Sequence, residues 1–353
     1  MTGSVQPVFP DRPARLGTLE AGRALAAIAV VLHHASLGSD GFTSANYSNY
    51  FDWGILGVDF FFVLSGFIIY HVNQGYQQRI SQAGRYFRKR LLRIYVPYLP
   101  IGIGMIAMYL ALPDMSAGDR EWGWVTSLTL LPSASPPALS VAWTLTFELL
   151  FYTFFLLFFV ARHFWLLVLL WVVAVLTVWA TGTSELITVP LLSTLLDPLI
   201  LEFVAGMIAA HVFTRLPSRL WIWPLALGMV GTALFVALPD PNRVLFGVSL
   251  APVVLALAMA ERAMTLRVPR AFLFAGSASY AIYLVHNPVI SIVARVLQGQ
   301  DTWLLTFWAC SLFGIGAGMI YHVGFERPAL RWVSGIGRSE IRQARAGHQR
   351  SSS

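Results

Sequence analysis

The sequence predicts an all-α polytopic membrane protein of about ten transmembrane helices, with both termini cytoplasmic. Composition, the number of long apolar runs and the placement of arginine each point there. Of the 353 residues, 57% are apolar and 12% charged, against roughly 45–50% and about 25% in soluble domains. A soluble globule of this size has nowhere to bury so much apolar surface, so lipid is the solvent for most of the chain. Disorder, a secreted disulfide scaffold and an ordinary cytosolic enzyme are excluded. The single cysteine, Cys310, lies in an apolar run and can form neither an internal disulfide nor a thiolate metal site.

The elements follow from run length. A hydrocarbon core about 30 Å thick needs about 20 helical residues. Residues 1–20 are polar and Pro-rich and are read as a cytoplasmic tail. The first apolar run, 21–38, has no small-residue cleavage site close behind it, so it is a retained span and not a signal peptide. Further runs lie at 54–72, 92–112, 141–160, 164–182, 194–213, 220–238, 243–261, 273–296 and 303–325. The short stretch 122–132 reads as an interfacial or re-entrant piece. Pro198, Pro252, Pro288, Gly314, Gly316 and Gly318 fall inside runs, where neighbouring helices can re-satisfy the backbone. Together, residues 21–325 form one ten-helix domain, followed by an Arg-rich cytoplasmic tail at 326–353.

Ten spans put both ends on one side, and basic residues say which. Of 24 Lys and Arg, only Arg120, Arg243 and Arg295 fall on the far side; the other 21 lie in the tails, in the even-numbered loops or at the same boundary. By the positive-inside bias that side is the cytoplasm, and the protein belongs in the cytoplasmic (inner) membrane. The +7 excess reports topology and contact with anionic membrane lipid, with no nucleic-acid partner implied.

A charge within the bilayer is expensive and is a functional candidate by default. His34, Asp59, Glu148, Glu202 and His286 all map to the outer half of their runs, one shared layer. Arg23 and His34 are eleven residues apart; at about 100° and 1.5 Å per residue they share a helix face, separated by roughly 16 Å. His33 is rotated by about 100° from that face. The face thus carries a guanidinium at the cytoplasmic boundary and an imidazole deep in the membrane. That arrangement suits a charged donor entering from the cytoplasm and a reactive end reaching a buried base, and it requires a passage linking the two. At the foot of the third run, Arg90 and Arg93 are helical neighbours. Paired planar guanidiniums suit phosphate, and the plainer alternative is an anchor to lipid headgroups. Ser65 and Gly66 read as close-packing positions.

Several stretches, in order along 19–328, resemble the acyltransferase family 3 membrane proteins, the O-acetyltransferases of bacterial surface polysaccharides, and most closely their exopolysaccharide-modifying branch. They are Leu19-Glu-Ala-Gly-Arg23 with His34 eleven residues further on, Gly57-Val-Asp59 to Phe67, Arg90-Leu-Leu-Arg93-Ile-Tyr-Val-Pro97, Trp143-Thr-Leu-Thr-Phe-Glu148 to Tyr152, Ser279-Tyr-Ala-Ile-Tyr283-Leu-Val-His286 and Glu326-Arg-Pro328. The departure is Glu20-Ala-Gly22, where the family usually places other residues.

The resemblance implies transfer of an acyl group, usually acetyl, from cytoplasmic acyl-CoA (acetyl-CoA) to a hydroxyl of an extracytoplasmic polysaccharide or lipid-linked glycan. Arg23, Arg90 and Arg93 would bind the phosphates of coenzyme A. His34 would be general base or covalent acyl acceptor, with Glu148 or Asp59 orienting it and stabilising its imidazolium. His286 and Trp143 would line the acceptor site, and no metal is required. Two other readings stay open: a transporter or flippase of a glycolipid or small metabolite that uses the same residues as a proton relay, and an acyltransferase with a non-sugar acceptor. The oligomeric state is not legible.

Overall fold

The computed structural model describes residues 16–45, 47–112, 121–239 and 242–335. Among these there is no strand, and ten helical segments are long and apolar enough to cross a membrane. The helices are α1 (Gly17–Phe42), α2 (Gly57–Asn73), α3 (Ile80–Ala111), α4 (Trp124–Thr129), α5 (Trp143–Phe154), α6 (Leu157–Val160), α7 (Phe164–Thr181), α8 (Pro190–Leu195), α9 (Ile200–Phe213), α10 (Ile222–Ala237), α11 (Arg243–Ala263), α12 (Arg270–Val296) and α13 (Trp303–Tyr321). A 3₁₀ segment, Ser48–Leu56, precedes α2.

Local chemistry explains the departures from simple runs. The sixth span divides into α8 and α9 at Leu196–Leu199, where Pro198 interrupts the ladder and the Asp197 carboxylate accepts the Leu199 amide at 2.8 Å. The third helix starts at Ile80, so the whole basic run from Arg85 to Arg93 is helical. The tenth span continues past residue 325 through a π-turn, His322–Glu326, to Gly335. Residues 326–335, expected as tail, are therefore helix. Hydropathy hid this because Glu326 reads as a solvent signal, whereas it is buried and paired. The remainder of both expected tails, 1–15 and 336–353, lies outside the described residues. The 122–132 stretch contains the short α4, held to α3 by hydroxyls of Tyr95 and Tyr98, which donate to the carbonyls of Thr129 and Ser127.

The helix ends meet as ten alternating spans require. The first amides of α1 have no partner within the helix; Glu261, at the far end of α11, accepts them from Gly17 at 2.7 Å and Thr18 at 2.8 Å. At the opposite end Trp303 donates to Asp40 at 2.6 Å and the Ser44 amide to Asp301 at 2.7 Å. The Ser44 amide and hydroxyl hold the exposed Asp301 carboxyl below the usual carboxylate range. In the core, α2 crosses α9 so closely that a Cβ on Gly66 would collide with the Phe203 carbonyl, and one on Gly206 with the Val63 carbonyl. Small residues at such crossings are how membrane helices gain packing contact. A smaller core joins α1, α12 and α13 around Val31, Ile282 and Phe307. The α1–α12 contact sets the positions of Arg23 and His34.

Candidate active site

Helices α1, α2, α3, α5 and α12 enclose a cavity of about 130 Å³. Its wall carries three guanidiniums, of Arg23, Arg90 and Arg93, with a single carboxylate, Glu148. The Arg23 Nε donates to the Ser279 Oγ at 3.1 Å, so α12 aims the guanidinium of α1 into the space. Arg93 donates to Glu326 Oε1 at 2.6 Å, and the second oxygen of Glu326 lies 2.7 Å from His322 Nδ1. The π-turn is what brings His322 and Glu326 to bear on α3. Arg90 has no carboxylate partner among the described residues; it lies between aromatic rings, 5.8 Å from the Tyr86 centroid and 5.5 Å from that of Tyr152. Such an arginine is held by cation–π contact with its N–H fork free for an anion. Glu148 accepts from Ser65 Oγ at 3.2 Å and, more closely, from the Tyr152 hydroxyl.

The cavity stops short of His34. Tyr283 closes it, its hydroxyl linked to Thr144 Oγ1 at 2.9 Å and the Val141 carbonyl at 3.0 Å. Behind Tyr283, at 5.8 Å between ring centroids, stands His286, and against His286 stands His34, at 5.0 Å. The open passage expected between Arg23 and His34 is therefore not present: the cavity ends at a wall that includes Tyr283, and neither histidine lines it. Spacing along a single helix could not reveal it, because the obstruction belongs to α12.

The two histidines define a tautomer. His34 Nδ1 is 2.9 Å from the Val30 carbonyl and His286 Nδ1 is 3.1 Å from that of Ile282. Carbonyls only accept, so each Nδ1 carries the proton. His286 Nε2, then a lone pair, lies 3.4 Å from His34 Nδ1 and shares that proton. His34 Nε2 is left as the unprotonated nitrogen, the form a base or nucleophile needs.

The groups expected in one outer layer divide into separate sites, and Glu148 joins the arginine cavity through Ser65, further along α2 than Asp59. Neither Glu148 nor Asp59 contacts His34, the role expected for one of them; His286 takes that place. Asp59, fully buried, accepts Arg243 Nε at 3.0 and 3.1 Å. Next to it lies the buried carboxyl of Glu202, which faces Asp59. Trp143, expected at the acceptor site, does not line the cavity; it packs edge-on to Phe62, with the Arg243 guanidinium 6.0 Å from its ring. Sequence reasoning missed Arg243, read only as a loop cation, and Tyr283, whose role depends on a hydroxyl bond between α12 and the start of α5. Among the described residues no cluster of three or more His, Cys, Asp or Glu has a metal-binding arrangement.

The ten-span bundle thus holds an arginine-lined cavity next to a histidine pair, His286 buried and His34 half-buried. A family model described as an acyltransferase domain, acyltransferase 3, matches residues 16–323. The chain belongs to that family and is a multi-pass membrane protein of the acyltransferase class. It is similar to the exopolysaccharide production protein ExoZ of Rhizobium meliloti (strain 1021), with 31% identity over 309 residues, 80% of this chain and 92% of that protein. No solved structure matches the chain.

Proposed function

We propose that the protein is an O-acyltransferase of the cytoplasmic membrane. It takes an acyl group, acetyl in this reading, from a coenzyme A thioester on the arginine-rich, cytoplasmic side and delivers it to a hydroxyl of an extracytoplasmic polysaccharide. The observation that carries the reading is the order of groups across α1, α3 and α12: Arg23 of α1 with Arg90 and Arg93 of α3 around a cavity, then Tyr283 of α12, then the paired imidazoles of His286 and His34. The fit to the donor is electrostatic. Glu326 neutralises Arg93, which leaves Arg23 and Arg90 facing Glu148, and Arg90 has no carboxylate partner among the described residues, so a phosphate group suits the site.

His34 Nε2 is the reacting atom. As base it takes the proton of the sugar hydroxyl; the oxygen attacks the thioester carbonyl, the C–S bond breaks, and the thiolate recovers the proton from the imidazolium. As nucleophile, the same nitrogen would hold the acyl group between two half-reactions. His286 positions the ring by accepting from Nδ1, the place a carboxylate occupies in hydrolytic triads. Glu148, tied to Ser65 and Tyr152, shapes the cavity and balances part of its charge. Asp59 serves this layer through Arg243 and not through His34. Tyr283 swings aside when donor is bound, as lids do in other enzymes.

The polysaccharide acceptor is supported by the name of the relative and by the long span of the match to it. The test is reconstituted protein with acetyl-CoA labelled in the acyl group and the cell's surface polysaccharide stripped of esters by mild base. Ester-linked label on the glycan with stoichiometric coenzyme A release is expected; movement of glycolipid or metabolite without coenzyme A release would establish a transporter instead. Omitting the acceptor in a rapid-quench experiment separates base from acyl-histidine.

A further inference from the structure

The segment Ser48–Leu56 is nine residues of 3₁₀ helix, although runs beyond three or four residues are uncommon. With three residues per turn, side chains three apart eclipse, which sorts this segment into three ridges. Ser48, Phe51 and Gly54 point inward: Gly54 rests on the Ala29 carbonyl and on His33 Cβ, while the Phe51 ring lies 4.5 Å from that of Phe307. The second ridge runs Tyr50, Trp53 and Leu56, with Tyr47 just before the segment extending its aromatic end; Tyr47, Tyr50 and Trp53 are 51%, 74% and 54% exposed. The third carries Asn49 and Asp52 ahead of Ile55, with Asn49 exposed and the Asp52 side chain 61% exposed and 3.9 Å from His33 Nδ1. The segment is fastened to α1 beside the candidate site, for the Phe51 carbonyl lies 3.3 Å from His33 Nδ1 and His33 adjoins His34 in the chain.

We infer that this segment is the binding platform for the glycan chain of the acceptor, with sugar rings stacked on Tyr47, Tyr50 and Trp53 and their hydroxyls bonded to Asn49 and Asp52. The inference rests on the acyltransfer reading above. A sugar ring presents C–H groups on its faces and hydroxyls around its edge, and an aromatic ridge beside an amide and carboxylate ridge is complementary to both. The rings of Tyr47 and Tyr50 are 6.3 Å apart, and the rise of about 6 Å per 3₁₀ turn sets Trp53 one sugar residue further. The Trp53 indole N–H is already committed to the Tyr50 carbonyl at 2.9 Å, which fixes the ring and leaves its face as the contact. Trp and Tyr also gather at membrane interfaces, but a lipid belt gains nothing from an exposed carboxylate in the adjoining ridge.

The test uses the intact protein in phospholipid nanodiscs and, as probe, short oligosaccharides cut from the cell's surface polysaccharide and de-esterified. Binding is read by titration calorimetry and transfer with labelled acetyl-CoA. Tyr50→Leu and Trp53→Leu keep apolar bulk and lose the ring face. Each is expected to weaken oligosaccharide binding about tenfold, raising the KM for acceptor more than it lowers kcat, while Tyr50→Phe and Trp53→Phe stay within about threefold of the parent. Leucine variants with unaltered affinity, the result a lipid belt gives, overturn the platform. So does equal loss in the Leu and Phe variants, or a parent protein that binds no oligosaccharide. Failure of the acyltransfer reading is seen separately, as absence of coenzyme A release by the parent protein with de-esterified polysaccharide present.

Discussion

His286 Nε2 stands 3.4 Å from His34 Nδ1 across the α1–α12 contact, and this makes the two imidazoles unequal. His34 donates to His286 and keeps its own Nε2 free, so His34→Ala is expected to reduce acyl transfer by about 10²–10⁴-fold. His286→Gln, whose amide oxygen can still accept from Nδ1, is expected to retain more activity than His286→Leu. The measurement is labelled transfer at equal amounts of folded protein. Transfer by His34→Ala at the parent rate would remove His34 from the mechanism.

The three guanidiniums are not equivalent either. Arg93 is neutralised by Glu326 at 2.6 Å, whereas Arg90 is held only by the rings of Tyr86 and Tyr152. Arg90→Ala is therefore expected to raise the donor KM by roughly 10–100-fold, the value of one charge-assisted hydrogen-bonding group, with a smaller change in kcat. Arg90→Lys should not restore it, because an ammonium neither stacks on the rings nor presents a planar fork. An acceptor KM that moves with the donor KM would place Arg90 elsewhere in the cycle.

How much of this was legible in the sequence depended on whether a residue acts through its own helix or through another. The spans and the Arg23–His34 face follow from run length and helical period, and the structure keeps both: Arg23 meets Ser279 and His34 meets His286 on the same neighbouring helix. Asp59 and Glu148 were expected in one layer from their positions along the runs, but position along a helix does not fix which neighbours a side chain meets. Asp59 turns toward Arg243 and Glu148 toward Tyr152, choices made by helix packing that one sequence does not encode locally. The end of the tenth helix was misjudged because the partner that neutralises Glu326, Arg93, is more than two hundred residues away.

Tyr283 separates the arginine cavity from the histidines, held by Thr144 at 2.9 Å and the Val141 carbonyl at 3.0 Å. Tyr283→Phe keeps the ring and removes both bonds, each worth about 1 kcal/mol net. The barrier should open more often, and acetyl-CoA hydrolysis without acceptor is expected to rise several-fold. Tyr283→Trp, bulkier and without the hydroxyl, should instead lower transfer. The check is coenzyme A release with and without polysaccharide. If Tyr283→Phe leaves the acceptor-free rate at the parent value, the ring is not the closure.

The α2–α9 crossing is the most demanding contact in the bundle, since each of Gly66 and Gly206 lies against a backbone carbonyl of the partner helix. Carbonyls cannot rotate aside as side chains do, so a side chain at either position must part the helices. Gly206→Val is expected to cost about 1–3 kcal/mol or more and to lower the thermal midpoint and the yield of monodisperse protein. Because α2 also carries Ser65, which holds Glu148, transfer should fall even in the fraction that remains folded. Gly104, inside α3 with nothing within 4 Å of a Cβ, supplies the contrast. Gly104→Ala removes a flexible residue from a helix interior and is expected to be neutral or to stabilise by up to about 1 kcal/mol. Melting curves for the two variants decide the matter: equal midpoints would mean that the crossing is looser than its geometry states, and that Gly66 and Gly206 are not what sets the distance between α2 and α9.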